Sequence, residues 1–251
     1  MGRARHSLRA WLNVLRGTEF QQKAPPTAGN PVEEPVALQE HAYHGLDNLD
    51  QKIEKYLDFE GGFYVELGAN DGVRFSNTYY YETQRDWRGV LIEPAPNRFL
   101  ECRANRGARN FVACAACVSF DYEHEFVKMY YSDLMSVTTD LETDVISATA
   151  HAELGRQFLS READVFLFGA QARTLNAILI EAKAPRLVDF LSLDVEGAEI
   201  EVLKGVDHSQ FRFKYMLIES RNIEKLEAYL MPLNYRLAEK FDEHDYMFVA
   251  D

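Results

Sequence analysis

The sequence predicts an α/β fold: a mostly parallel sheet with helices on both faces and an antiparallel end. Three observations carry this. Short, continuous apolar runs alternate with helical stripes from residue 46 onward, as in a sheet buried on both faces. Two of those runs pass directly into a glycine turn, the place where open α/β sheets hold their ligands. The last two runs are joined by only a short polar loop, which suits an antiparallel pair.

In chain order, Leu46, Leu49, Ile53, Tyr56 and Leu57 form a helical stripe after a candidate Asn48 cap, and Gly61-Gly62 ends it. Residues 63–67 read as a strand, followed by a glycine-bearing turn and a helix over Tyr79–Gln84. Val90–Glu93 is a second strand, Pro96–Asn105 a helix and Phe111–Val118 a third strand. Phe120–Tyr131 alternates like a hairpin or an added strand. Residues 132–163 are irregular, with a helical patch around His151–Leu159. Val165–Phe168 reads as extended and Leu175–Glu181 as a helix. A strand (Val188–Asp194), a helix (Glu196–Leu203), a strand (Tyr215–Glu219) and a helix (Glu224–Leu230) follow. Strands near Tyr235–Leu237 and Tyr246–Val249 close the chain.

The sequence divides into a basic leader and Pro-rich linker over 1–35 and one folded domain over 36–251. Arg3, Arg5, Arg9 and Arg16 stand with no acid among the first seventeen residues, and Leu8, Trp11, Leu12 and Leu15 take helical spacing. That pattern suits a weak contact with a membrane surface or a partner. Arg9 and Arg16 leave no apolar core for a secretory signal. Pro25, Pro26, Pro31 and Pro35 mark the linker.

With 251 residues and 47% of them apolar, the chain can bury a core without disulfides or a structural metal. A net charge of −13 argues against nucleic acid, where phosphate neutralisation supplies most of the affinity. Three cysteines give no disulfide framework and fit a reducing, cytoplasmic setting. Cys114 and Cys117 have metal-ligand spacing, but their apolar flanks read better as a buried strand.

The strongest chemical signal is Val65-Glu66-Leu67-Gly68-Ala69-Asn70-Asp71-Gly72, an apolar strand running into Gly-x-x-x-Gly. Gly68 and Gly72 permit a tight turn with the backbone close to a ligand. The middle glycine of a dinucleotide binder is missing, and Asp71 would repel a diphosphate. The turn suits S-adenosylmethionine (SAM), which carries a sulfonium and an ammonium and no phosphate. Glu66, an acid at the end of an apolar strand, needs a cation or donors, such as a ligand ammonium or backbone N–H groups. Glu93 ends the next strand and can accept from both ribose hydroxyls. The second signal is Leu191-Ser192-Leu193-Asp194-Val195-Glu196-Gly197-Ala198-Glu199. Its acids, with Glu219 at the end of a neighbouring strand, are candidates for a general base or for oxygen ligands of a divalent cation such as Mg2+. Glu199, in the first helical turn, reads as a dipole partner. His244, before the last strand, is a further candidate beside the substrate.

VELGANDG, SNT (Ser76–Thr78), GVLIEP, LSLDVEGAE and LIE, in this order, resemble the FkbM family of SAM-dependent methyltransferases. The resemblance runs over about residues 60–250. It implies a Rossmann-like, seven-stranded, mostly parallel sheet with a reversed last strand. It implies SAM held by Gly68, Ala69, Asn70, Asp71 and Gly72, with Glu93 on the ribose; Glu66, Ser76, Asn77, Pro94, Ala115 and Asp194 complete the expected cofactor set. Asp194, Glu196, Glu219 and His244 are the expected catalytic residues, and Asp194, Glu196 and Glu219 the metal candidates. It further implies methylation of a hydroxyl on a sugar, glycan or natural-product acceptor. A protein or small-metabolite acceptor, or a SAM-binding scaffold without turnover, is the alternative. Residues 119–172 are the expected substrate-facing insertion.

Overall fold

The computed structural model describes residues 42–251, so the leader, the linker and the start of the expected domain lie outside the described residues. Asn48, the candidate cap, makes no side-chain capping bond and stands at φ +56°. The first stripe is accordingly only a 3-10 turn over 46–48 and a single helical turn, α1 (Leu49–Lys52). Asp50 organises it instead, accepting from the backbone N–H groups of His44 and Gln51.

β1 (Phe63–Leu67), α2 (Tyr79–Gln84), β2 (Arg88–Ile92), α3 (Pro96–Asn105) and β3 (Phe111–Ala113) build the first half. The expected third strand breaks after Ala113. Its continuation, β4 (Ala116–Cys117), leaves the main sheet and pairs with a later strand. β5 (Phe126–Tyr131), β6 (Val137–Thr138), α4 (Ala148–Gly155) and β7 (Phe166–Arg173) follow, and β4-β7-β5-β6 form a separate four-stranded sheet. The second half runs through α5 (Leu175–Glu181), β8 (Leu187–Leu193), α6 (Glu199–Leu203), β9 (Arg212–Glu219), α7 (Ile223–Leu230), β10 (Tyr235–Lys240) and β11 (Asp245–Ala250).

The main sheet has seven strands in the order β10-β11-β9-β8-β1-β2-β3. β3, β2, β1, β8 and β9 pair in parallel, while β11 runs antiparallel to both β9 and β10. This is the expected sheet, with its last strand reversed. Side-chain alternation along β1 separates two cores. Val65 and Leu67 face α5, α6 and α7, packing with Leu175, Ile178, Val202 and Leu226. Tyr64 faces the other way, packing with Tyr81, Trp87 and Cys102 under α1, α2 and α3. The register sets the position of the site: Ala113, Ile92, Leu67, Leu193 and Ile218 lie in one row across five strands. The next residues of β2, β1, β8 and β9, namely Glu93, Gly68, Asp194 and Glu219, therefore emerge along one edge. Among the described residues no helix is long and apolar enough to cross a membrane.

Candidate active site

Chain connections diverge between β1 and β8, and the crevice at their carboxyl ends is where such a sheet binds ligands. Gly68 stands at φ +77°, and a Cβ there would lie 2.0 Å from the Asp194 carbonyl oxygen. The glycine is thus required by contact as well as by conformation. Gly68 and Ala69 both donate to the Ile92 carbonyl, at 3.1 and 3.2 Å, which swings the loop toward β2. Asn70 (φ +46°) and Gly72 (φ +81°) complete the bend. Asp71 Oδ1 accepts from the backbone of Val73 and Arg74, so its charge closes the turn.

Glu93 is buried beside this loop. Its Oε2 accepts from Asn70 N–H at 2.9 Å and its Oε1 from Ala95 N–H at 2.8 Å. Burial pushes its pKa up to about 7, against the pull of those two donors and of Arg98. Each oxygen keeps acceptor capacity, as a pair of ribose hydroxyls requires.

Glu66 is met by a cation and donors of the chain itself, the backbone N–H of Asn77 among them. Its carboxylate accepts from Asn77 N–H, Ser76 Oγ, Thr78 Oγ1 and the fully buried Arg106. The strand-end charge is therefore met inside the chain, and no ligand ammonium is needed to balance it. Ser76 is buried in the same network, and the Asn77 amide donates to Ser192 Oγ at 3.2 Å. These three residues support the loop from beneath. The Ala115 methyl lies within the main core, which leaves its backbone to meet a ligand. Pro94 is half-buried, and its carbonyl lies 3.7 Å from Cys114 Sγ. Cys117 is in the core, and no metal cluster of the described residues includes the cysteines.

Asp194, Glu196 and Glu219 do converge, each offering a carboxylate oxygen within 4.8 Å of the others. Asp194 is open to the crevice yet crowded by protein on its other sides; that crowding, then the like charge of Glu219, raises its pKa well above the usual carboxylate range. Burial alone would raise Glu196 too, but His151 and Arg221 outweigh it and hold its pKa below the ordinary value. Arg221 Nη2 lies 2.7 Å from Glu196 and 3.4 Å from Glu219, and His151 Nε2 lies 2.8 Å from Glu196. Glu199 Oε1 accepts from the N–H groups of Val195 and Gly197, so Glu199 closes the turn; burial, then Glu219, pushes it up to about 8. Glu196 and Gly197 both have positive φ, so α6 starts at Glu199 and not at Glu196. His244 meets the site through its backbone: its carbonyl accepts from Ser220 N–H at 2.8 Å.

The 119–172 segment supplies residues that no motif announced. Asp133 accepts from the Asn70 amide at 2.9 Å and pairs with Arg98 at 2.9 Å, which ties the segment to the glycine loop. His151, on α4, ties it to Glu196. Arg106 and Arg221 were equally silent in sequence, because single arginines outside a motif carry no positional signal.

Residues 66–248 match a family described as the methyltransferase FkbM domain. A search of the curated proteins returns no match. Among solved structures, M. capricolum TrmK in complex with S-adenosyl-homocysteine is 9% identical (TM-score 0.39), with 79% of this chain and 66% of that chain covered. This chain thus spans just under two thirds of that protein's length. A SAM-dependent methyltransferase from Aquifex aeolicus is 10% identical (TM-score 0.38; 79% and 85% covered). A human methyltransferase 10 domain containing protein is 10% identical (TM-score 0.41; 80% of each chain covered). The fold rests on the strand order and register above, not on these likenesses.

Proposed function

The chain belongs to the FkbM family of SAM-dependent methyltransferases, and from that premise we propose that it transfers the methyl group of SAM to a hydroxyl of a sugar, glycan or natural-product acceptor. One observation carries the reading: the glycine turn after β1 packs directly on the Asp194 backbone, so the expected donor loop and the expected base share a single crevice.

The residues present fit this donor. Gly68 and Gly72 leave the loop backbone bare, and Glu93 offers paired acceptors at the end of β2. When bound, SAM supplies an electrophilic methyl on a sulfonium. Asp194 takes the proton of the acceptor hydroxyl as the new C–O bond forms and the donor's C–S bond breaks. An aliphatic hydroxyl is far too weak an acid to ionise at neutral pH, so a positioned base is required. A carboxylate raised above its ordinary range is a stronger base than an ordinary one, and burial, then the like charge of Glu219, keeps Asp194 raised. The acidity of the chain supports an acceptor other than nucleic acid.

The direct test is Asp194→Asn. Turnover should fall by about 10²–10⁴-fold, the usual worth of a general base, with SAM affinity kept within a few-fold. Normal turnover would remove Asp194 from this role. The remaining activity-pH curve tests it again: in the native enzyme the acidic limb should sit above the ordinary carboxylate range, because Asp194 acts only when ionised. A divalent cation is the second reading, favoured by the oxygen-rich, closely spaced Asp194, Glu196 and Glu219. Arg221 already pairs with two of these three, so a metal would have to displace a resident cation. Activity should therefore survive EDTA; loss with recovery on added Mg2+ would decide for the metal.

A further inference from the structure

We propose that Arg106 is a positioning residue for the methyl donor, its buried guanidinium fixing the shape of the 68–78 loop from below. The proposal rests on the reading that SAM binds on that loop. Arg106 follows α3 and is 0% exposed. Nη1 donates to the Gly72 carbonyl at 2.8 Å and to Ser76 Oγ at 3.0 Å, and pairs with Glu66 at 3.2 Å. Nη2 donates to Thr78 Oγ1 at 2.7 Å and to Tyr64 OH at 2.8 Å, and Nε to Glu82 at 2.6 Å. These partners divide in two. Tyr64 and Glu82 anchor the guanidinium from the strand and from α2. Gly72, Ser76 and Thr78 are three points along the loop, and Glu66 stands at its root. The stem takes part as well: a Cβ on Gly72 would lie 2.7 Å from Arg106 Cγ, so the loop backbone rests on the side chain.

Only a planar fork with five donors can hold a carbonyl, two loop hydroxyls and the anchors at once. The ammonium of a lysine keeps the charge, so the buried Glu66 and the part-buried Glu82 stay compensated, yet its three donors leave the fork unfilled. Because a guanidinium does not titrate at ordinary pH, this support persists where Glu93 changes its charge.

Arg106→Lys separates positioning from general stability. Titration calorimetry with S-adenosyl-homocysteine should show affinity reduced by about tenfold or more, the scale of losing one or two bonds to a charged group. Hydrogen exchange in the donor-free protein should rise over 70–78 and stay unchanged over β8 and β9. Leu179→Ala, a truncation in the core on the other face of the sheet from Tyr64 and Cys102, is the stability control. It should lower the thermal midpoint and keep the affinity within about twofold, since cavity effects stay local. Binding by Arg106→Lys within about twofold of the native protein overturns the proposal, as does an equal loss in Leu179→Ala at a matched midpoint. Should Arg106→Lys show no cooperative unfolding, Glu82→Gln keeps the guanidinium and frees one anchor. It should weaken binding by about three- to fivefold, and unchanged binding again overturns the idea. If the native protein itself takes up no S-adenosyl-homocysteine, the donor reading fails, and the exchange data alone judge whether Arg106 shapes the loop.

Discussion

Glu93 shows how a single side chain can carry both a structural and a binding load. It holds the glycine loop through Asn70 N–H, and burial pushes it up to about 7. Donor hydroxyls bind best to its ionised form, so SAM affinity should rise as pH increases through about 7 and then level off. Glu93→Gln removes the charge and turns one acceptor into a donor that faces a backbone N–H. Affinity should fall by about 10–100-fold, the worth of hydrogen bonds to a charged group, and lose its pH dependence. Calorimetry at several pH values measures both; a flat profile in the native protein contradicts the assignment. The acids that end strands were legible because each interrupts an apolar run where burial is costly. Their partners were not. Arg106 meets Glu66 from forty positions away, and Arg221 and His151 meet Glu196 from either side in sequence. Which cation reaches which acid is decided by packing, so the choice between a ligand ammonium and the chain's own donors at Glu66 was open in the sequence, and Arg106 is the cation that meets it.

At the level of elements, helices with clean signals fell where the pattern put them, as Pro96–Asn105 and Leu175–Glu181 show. The failures have identifiable causes. The 111–118 run is apolar throughout, and nothing in it marks the break after Ala113, which depends on β7 arriving to pair Ala172 and Arg173 with Ala116 and Cys117 of β4. The 119–172 segment lacked any strong period, yet its contacts with the crevice are specific. The Gly197 carbonyl accepts from Asp144 N–H at 3.0 Å, and a Cβ on Gly197 would lie 2.9 Å from Thr143 Oγ1 and 3.1 Å from Val145 Cγ2. With φ at +96°, Gly197 is where the turn after β8 and the added segment lock together. Gly197→Ala should cost about 1–3 kcal/mol, as strained positive φ does, and raise hydrogen exchange over 142–147. Equal stability and unchanged exchange in the variant would show that the segment is held elsewhere.

For the whole molecule, the buried acids set how stability depends on pH. Burial raises Glu93 to about 7, Glu199 to about 8 and Asp245 to about 9. In the unfolded chain these groups ionise near 4–4.5. Between those values the folded state holds protons that the unfolded state has released, so stability falls as pH rises, by up to about 1.4 kcal/mol per unit for each group. Glu196 and Asp242 act in the opposite sense. Both are buried enough to be raised by that alone, but His151 and Arg221 lower Glu196, and hydrogen bonds from Asp245 and His244 lower Asp242. Their contribution is present above the ordinary carboxylate pKa and is lost as pH falls below it. The two sets together place the stability maximum of the donor-free protein near pH 5, on the acidic side of neutrality. Glu199→Gln isolates one member. The amide oxygen still accepts from Val195 and Gly197 N–H, as Glu199 does, and it cannot ionise in either state. The variant should therefore match the native protein near pH 5, exceed it at pH 8 and show a shallower decline between. Thermal unfolding across pH 4–9 reads all three, and a native stability that climbs steadily to pH 8 would mean that these carboxyls are ionised in the folded protein.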